Sequence, residues 1–329
     1  MIPGAIILLY HRVIALDRDP QLLCVSPENF KSQIDWISNR YHIVPLARIG
    51  QALAEGRPLK DMVAITFDDG YFDNFQIAAP ILRAANCPAT IFATTGLTNT
   101  SREFFWDDLD RIFLAPGTLP KTFAPLDIDL GDSAAHDGRF ANWTVLDSVD
   151  PTPRQATYRR LATRLHESPI AQRHAVLQEL QAWSNVPARE THRMMTSSEL
   201  ENFLFPRPRD TGGGSEGGLI TLGGHTVNHC RLSAESLEVQ ASQIQQNRES
   251  LGLPSTFSYP FGTRHDYTAE TVELVKQAGY ELACANFGGT VTLESDPCRL
   301  PRHIVRDWPI EQFVDEFTKW SGQKEPRTK

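Results

Sequence analysis

Two adjacent carboxylates, Asp68 and Asp69, close an apolar run in Thr66-Phe67-Asp68-Asp69-Gly70-Tyr71. Successive residues of a strand point to opposite faces. Neighbouring carboxylates can therefore take different tasks only where the strand stops and the chain bends, here at Gly70. One can then bind a metal while the other stays free as a base. Taken alone, the hexapeptide reads equally well as a strand end with an acidic turn, because Asp and Gly are common turn residues. A second group lies far downstream, in Gly223-Gly224-His225-Thr226-Val227-Asn228-His229. Two histidines four residues apart face the same way if the segment is helical, and can share one ion. Catalytic zinc keeps three protein ligands and an open water position, and Asp69 can supply the third.

Two further stretches carry candidate chemistry. In Phe257-Ser258-Tyr259-Pro260-Phe261-Gly262 an apolar strand meets Pro and then Gly. It is either a plain turn or one that aims the Phe261 N–H at a developing oxyanion. In Arg299-Leu300-Pro301-Arg302-His303-Ile304-Val305 a His and an Arg accompany a buried strand, so His303 and Arg302 are candidates to face a site.

These residues need elements to position them. Seven short β-rich runs stand out: Ala5–Tyr10, Val63–Phe67, Ala89–Thr94, Leu219–Leu222, Thr256–Tyr259, Glu281–Ala285 and Leu300–Val305. Most are continuously apolar, as strands buried on both faces are. Helical stretches separate them. Ser26-Pro27-Glu28 opens Asn29–Arg40, and Phe72–Asn86 follows the acidic turn. Ser233 is expected to cap a helix running to about Gly252, and Thr268 one that ends at Gly279. Strand–helix alternation implies a parallel sheet, and seven strands suggest a closed or nearly closed barrel. The active site of such a barrel lies at the C-terminal strand ends, where Asp69 and His225 both fall.

The alternation is interrupted between about residues 98 and 193. The chain is expected to be one domain, 1–329, carrying this mostly helical insertion. It contains Phe104-Phe105-Trp106-Asp107-Asp108-Leu109, a polar stretch rich in Pro and Asp, and two amphipathic helices. Those helices carry Tyr158, Leu161 and Leu165, then Val176, Leu180 and Trp183. Their apolar residues read as packing, whereas Trp106 is a candidate wall of a sugar site. The glycine-rich stretch Asp210–Gly218 lacks the following Lys of a phosphate-binding loop, which argues against a nucleotide site.

Net charge is −8, with no Lys/Arg run, so nucleic acid is not an expected partner. The five cysteines form no CxxC pair and suggest a reducing compartment. No stretch approaches the about 20 apolar residues of a membrane span. The apolar N-terminus has no basic region or cleavage site and reads as the first strand, so a cytoplasmic location is expected.

Thr66–Tyr71 resembles the TFDDG motif of the polysaccharide deacetylases (carbohydrate esterase family four, the NodB homology domain). His225–His229 resembles the family's H[ST]xxH motif, and Tyr259-Pro260-Phe261-Gly262 part of its RxPY motif. Tyr10-His11-Arg12-Val13 looks like the opening strand of one branch. Met195–Leu200 resembles the helix start that often precedes the histidine motif. The likeness covers roughly residues 1–97 and 194–310. It implies a distorted (β/α)7 barrel, with Asp69, His225 and His229 on one divalent metal, usually Zn2+, with Co2+, Mn2+ or Ni2+ as alternatives. It implies Asp68 as general base. One carboxylate and two neutral imidazoles leave such a metal net positive, able to polarise an amide carbonyl and activate water. Tyr71, Pro260, Arg302, Trp106 and His11 are the candidate substrate-binding residues.

Two departures stand out. The arginine of the third motif, which usually pairs with the base, is replaced by Ser258, with Arg302 or Arg12 as substitutes. No residue cleanly matches the family's general acid. His303 is the nearest candidate, followed by His11 and His265, or Asp68 itself returns the proton. The expected activity is removal of N-acetyl groups from an amino sugar of a polysaccharide or glycoconjugate. O-deacetylation and deformylation use the same groups. A sugar-binding protein on a degenerate scaffold is the alternative from another class. An aspartyl-phosphate phosphatase is disfavoured because it needs alternate, not adjacent, carboxylates.

Overall fold

The computed structural model describes residues 2–204 and 218–322. All but the last residue of the Asp210–Gly218 stretch lies outside them. The chain divides into two compact units, residues 1–15, 23–99 and 194–329 in the first, 16–22 and 100–193 in the second.

The first unit is built on seven parallel strands: β1 (Ala5–Tyr10), β2 (Met62–Phe67), β3 (Ala89–Ala93), β4 (Ile220–Gly224), β5 (Thr256–Ser258), β6 (Leu282–Cys284) and β7 (His303–Ile304). Each strand from β1 to β5 pairs with its successor, and β7 pairs with β1 through Leu8↔His303 and Leu9↔Ile304. Just before β7, Leu300 bridges Cys284 of β6. Its N–H donates to the Ala283 carbonyl at 2.8 Å, and the Ala285 N–H donates back at 2.9 Å. The segment 300–304 thus joins the last strand to the first and closes a distorted (β/α)7 barrel. The extra pair His42–Ile43 lies beside β2.

Alternation along the strands separates two cores. Ala5, Ile7, Ala64, Phe92, Leu282, Cys284 and Leu300 share one cluster with Leu46, Ile49 and Ala52 of the helix Leu46–Ala54. This is the barrel interior with the helix packed against it. Ile6, Leu8, Tyr10, Val63, Ile65, Phe67 and Ile91 belong to the other cluster, against the outer helices. Both faces of each strand are apolar because both are buried.

Helix ends follow local chemistry. Ser26 caps Pro27–Ser38, and Thr268 with Thr271 forms a capping box on Ala269–Gln277. The helix expected from Ser233 starts later. Ser236 accepts from the Val239 N–H and caps Leu237–Ser250, while Leu232–Ala234 is a separate 3-10 turn. The expected Phe72–Asn86 helix is a π turn, Asn74–Ala78, followed by Ala79–Ala84.

The second unit holds the helices Phe105–Leu109, Pro153–Glu167 and Ile170–Ser184. Tyr158, Leu161, Leu165 and Leu180 are buried, as their spacing predicts. Residues 16–22 are tied in by Arg18, whose guanidinium donates to Asp110 at 3.0 and 3.2 Å. Asp110 and Glu103 also receive Arg189.

Gly223 and Gly224 end β4 where there is no room for a side chain. A Cβ on Gly224 would sit 2.0 Å from the Tyr280 hydroxyl and 2.8 Å from Asn247 Oδ1. Overpacking of this kind costs about 1–3 kcal/mol. Gly224→Ala is therefore expected to lower unfolding free energy by that amount in a urea titration. An unchanged midpoint would show that Tyr280 moves aside freely.

Candidate active site

Asp68 and Asp69 follow β2 directly. Ala64 faces the barrel interior, so alternation turns Thr66 and Asp68 inward as well. Asp69 would face outward on a continued strand. Its backbone is instead left-handed, φ +77°, with Gly70 at +83°. The chain bends at this point, and the Asp69 carboxylate meets two imidazoles. His225 Nε2 lies 3.5 Å and His229 Nε2 3.2 Å from Asp69 Oδ1. The three ligand atoms lie within 4.8 Å of one another, and all three residues are buried.

The histidine segment is not helical. Thr226 and His229 are left-handed, at φ +63° and +47°. A folded loop brings the two rings together, and their centroids stand 4.8 Å apart. Asn247, from the helix Leu237–Ser250, holds this loop. Its Oδ1 accepts from the His225 N–H at 2.9 Å. Its Nδ2 donates to the Ala93 carbonyl at 3.0 Å and the Thr226 carbonyl at 2.7 Å. Gln243 Oε1 accepts from the Asn228 N–H at 2.8 Å.

His225 Nδ1 lies 2.7 Å from the Ser258 carbonyl. A carbonyl only accepts, so Nδ1 carries the proton and Nε2 presents a lone pair toward Asp69. Both Asp69 oxygens are buried and accept no hydrogen bond. A buried carboxylate without donors is costly, and a cation between it and two Nε2 lone pairs removes that cost. The donor set, one oxygen and two imidazole nitrogens, suits a divalent transition metal with a position left open.

Asp68 has a different environment. Arg302 donates to both of its oxygens, Nη1 to Oδ1 and Nη2 to Oδ2, each at 2.7 Å. The Ser258 hydroxyl donates to Oδ2 at 3.0 Å and accepts from Arg302 Nη2 at 2.8 Å. Arg302 is itself fixed by the Ala285 carbonyl at 2.9 Å. Burial alone pushes the Asp68 carboxyl up, but the Arg302 guanidinium, followed by His225, holds it below the ordinary carboxylate range. Asp69 is also depressed, because His225 and His229 outweigh its burial. Burial lowers His225, yet Asp68 and Asp69 together raise it, which marks the pocket as one that attracts positive charge.

Phe261 follows β5 at φ +59°, and its ring meets the His229 ring edge-on at 4.6 Å. Pro260 is buried in the same turn, and its carbonyl accepts from the Gly262 N–H at 2.7 Å. Tyr71 is fully buried with the Arg12 guanidinium 4.2 Å from its ring centre. Arg12 is bound to Asp73 at 2.9 Å, so it is not the partner of Asp68. Trp106 belongs to the second unit, stacked on Phe104 at 4.5 Å.

His303 corrects the expectation of a general acid on the last strand. Leu300 and Arg302 face inward, so His303 faces outward. Its ring stacks on Trp320 at 4.6 Å, and its Nε2 accepts from the Gly289 N–H at 3.3 Å. His11 has the inward parity instead. It follows Tyr10, which is level with Phe67, and thus stands level with Asp68. Burial lowers its pKa against the pull of Asp69 and then Asp68. Ser258 and Asn247 were not singled out for these roles from sequence. The signal for Asn247 is an amide row, Gln240, Gln243 and Asn247, at helical spacing on a buried face.

Residues 55–117 match the polysaccharide deacetylase family. YxkH of Bacillus subtilis (strain 168), which carries that family's name, is 34% identical over 88 residues, 26% of this chain. The poly-beta-1,6-N-acetyl-D-glucosamine N-deacetylase of Escherichia coli (strain K12) is 33% identical over 95 residues, 28% of this chain. The matched stretches make up 30% and 14% of those relatives' own lengths. Among solved structures, IcaB from Ammonifex degensii aligns over 97% of both chains, with TM-score 0.56 and 16% identity. The Streptococcus pyogenes deacetylase PplD aligns over 96% of this chain and 98% of its own, with TM-score 0.53 and 16% identity. At these identities the likeness is one of fold.

Removing one partner of a buried ion pair costs about 3–5 kcal/mol, because the other charge is stranded. Arg302→Met is expected to lose that much stability at pH 8, and Asp68→Asn added to it to recover most of the loss. The signs follow from the pair. With Arg302 present, Asp68 contributes stability above the usual carboxylate pKa, lost as pH falls through its depressed value. Without Arg302, burial lifts Asp68, and the variant gains stability toward acid. Denaturant titrations at pH 5 and 8 check this; parallel pH profiles for wild type and Arg302→Met would overturn it.

Proposed function

We propose that this chain, a member of the polysaccharide deacetylase family, hydrolyses the N-acetyl amide of an amino sugar within a polysaccharide or glycoconjugate. The observation that carries the reading is the split environment of Asp68 and Asp69. One carboxylate is locked to an arginine beside a cation site, and the other belongs to that site. The Escherichia coli relative is named for N-deacetylation of an N-acetylglucosamine polymer, and an acetylated amino sugar is the substrate class we carry over.

Asp69, His225 and His229 would hold the cation, for which we favour zinc. When bound it supplies Lewis-acid polarisation of the acyl carbonyl and a lowered pKa for attached water. Asp68, kept ionised by Arg302, takes the proton of the attacking water. The Phe261 N–H donates to the oxyanion that develops on the carbonyl. The departing amine needs a proton, and His11 delivers it from the inward face beside Asp68. Arg302 serves as the partner of Asp68 rather than as a substrate contact.

The five cysteines are free and buried, and we keep the cytoplasmic location as part of this reading. Among the described residues no helix is long and apolar enough to cross a membrane.

Two measurements test the proposal. Chelator treatment is expected to abolish acetate release from acetylated amino-sugar oligomers, and Zn2+ to restore it. Asp68→Asn is expected to lower kcat by about 10²–10⁴, the usual share of a general base, without loss of metal content. A saccharide-binding protein would be indifferent to both. For the acid, His11→Gln is expected to lower kcat by a similar factor, while His303→Gln stays within a few-fold of wild type. The reverse ranking would return the role to His303.

A further inference from the structure

We propose a second saccharide-binding subsite, in the second unit, at a cavity of about 390 Å3 lined by Arg139, Phe140, Asn142, Trp143, Asp147 and Ser148. The cavity is an open hollow at the surface, lined mostly by exposed side chains, with room for about one sugar ring. Its wall is a loop held in one shape by a side chain. Arg159 donates to the Val145 carbonyl at 2.6 Å, the Asp147 carbonyl at 2.7 Å and Asp150 Oδ1 at 2.9 Å. The same guanidinium lies 5.1 Å from the Trp143 ring centre. Trp143 Nε1 donates to the Val149 carbonyl at 3.2 Å, and Asp147 Oδ2 accepts from the Thr144 N–H at 2.6 Å. The loop is therefore preorganised by these bonds and by Trp143, which packs edge-on against Tyr158 at 5.7 Å. It holds Leu146 at 74% and Val149 at 69% exposure beside the cavity, an arrangement that packing does not require.

The lining selects a ligand class. Arg139 is committed to Asp137, Nη2 to Oδ2 at 2.7 Å and Nε to Oδ1 at 3.0 Å. The remaining charge is the carboxylate of Asp147, so an anionic ligand is disfavoured. Asn142 and Ser148 offer neutral donors and acceptors, and Phe140 offers an apolar edge. Hydroxyls around a ring with apolar C–H faces meet both demands, so a neutral pyranose unit fits. The subsite would hold one neutral sugar unit of a saccharide, as a binding site belonging to the second unit alone. This inference rests on the saccharide reading above.

The test compares wild type with Phe140→Ala/Asn142→Ala and with Ser148→Trp, which fills the cavity from an exposed position. Binding of a β-linked N-acetylglucosamine hexamer and of N-acetylglucosamine itself is measured by calorimetry on the Asp68→Asn background. Acetate release from the same two sugars is measured with Asp68 intact. Wild type is expected to bind two hexamers per chain, one at this subsite and one at the proposed active site, and both cavity variants only one. Equal stoichiometry in wild type and variants would overturn the subsite while leaving the deacetylase reading intact. A binding event that the variants lose, with no acetate released by any protein, would uphold the subsite and overturn the deacetylase reading.

Discussion

Two adjacent carboxylates are buried at one strand end, and each needs its own positive counterpart. Like charges this close, away from water, would otherwise drive one of them to take up a proton. The bend at Asp69 and Gly70 separates them. Asp68 stays on the inward face and meets Arg302, while Asp69 swings to two imidazoles that with it form a cluster able to hold a cation, which would be its counterpart. The barrel supplies the counterparts from strands distant in sequence but equivalent in topology. His225 follows β4, Ser258 ends β5 and Arg302 precedes β7. The closure of β6 onto segment 300–304 is therefore more than architecture, because it brings the guanidinium into the interior.

The site also concentrates backbone strain. Asp69, Thr226, His229 and Phe261 all occupy the left-handed region, which costs free energy for residues with a Cβ. Such conformations persist only where the surroundings over-determine them. Asn247 does so for the histidine loop, with three hydrogen bonds to backbone from a helix that is rigid in its own right. The amide row on that helix would look like a poor core stripe if packing were its only task. Its polarity makes sense because Gln243 and Asn247 satisfy backbone atoms of that irregular loop, while Gln240 bonds the Glu235 carbonyl and the Thr271 hydroxyl.

The sequence made the metal-ligand candidates legible because a carboxylate pair and two histidines four apart each follow directly on an apolar run, and none of these residues would be read so alone. It made the seven strands legible because apolar runs between helix caps leave little else. It did not show which face each strand turns inward. Both faces are buried, so apolar content carries no parity, and the sequence places His303 ahead of His11 without any sign of which way either faces. Parity became readable only from pairing register, with Leu300 and Arg302 inward and His303 on Trp320. The helical condition attached to His225–His229 is not met, yet the two rings still meet, because a four-residue spacing is satisfied equally by a loop with two left-handed residues. The membership of residues 16–22 in the second unit rests on Arg18 and Asp110, whose distance in sequence leaves no local trace.

Ser258 and Arg302 are best understood as one choice. The cleft beside Asp68 Oδ2 holds a group that must donate to the carboxylate and accept from Arg302 Nη2 at once. A hydroxyl does both, whereas a guanidinium has donors only. An arginine at position 258 would place a second buried cation against Arg302, with one carboxylate to share. The guanidinium that serves Asp68 comes from just before the seventh strand, and position 258 at the end of the fifth carries a small residue that completes its hydrogen bonding. Serine at 258 thus leaves one buried cation for one buried carboxylate, and its hydroxyl closes the network without adding a charge that would need its own partner.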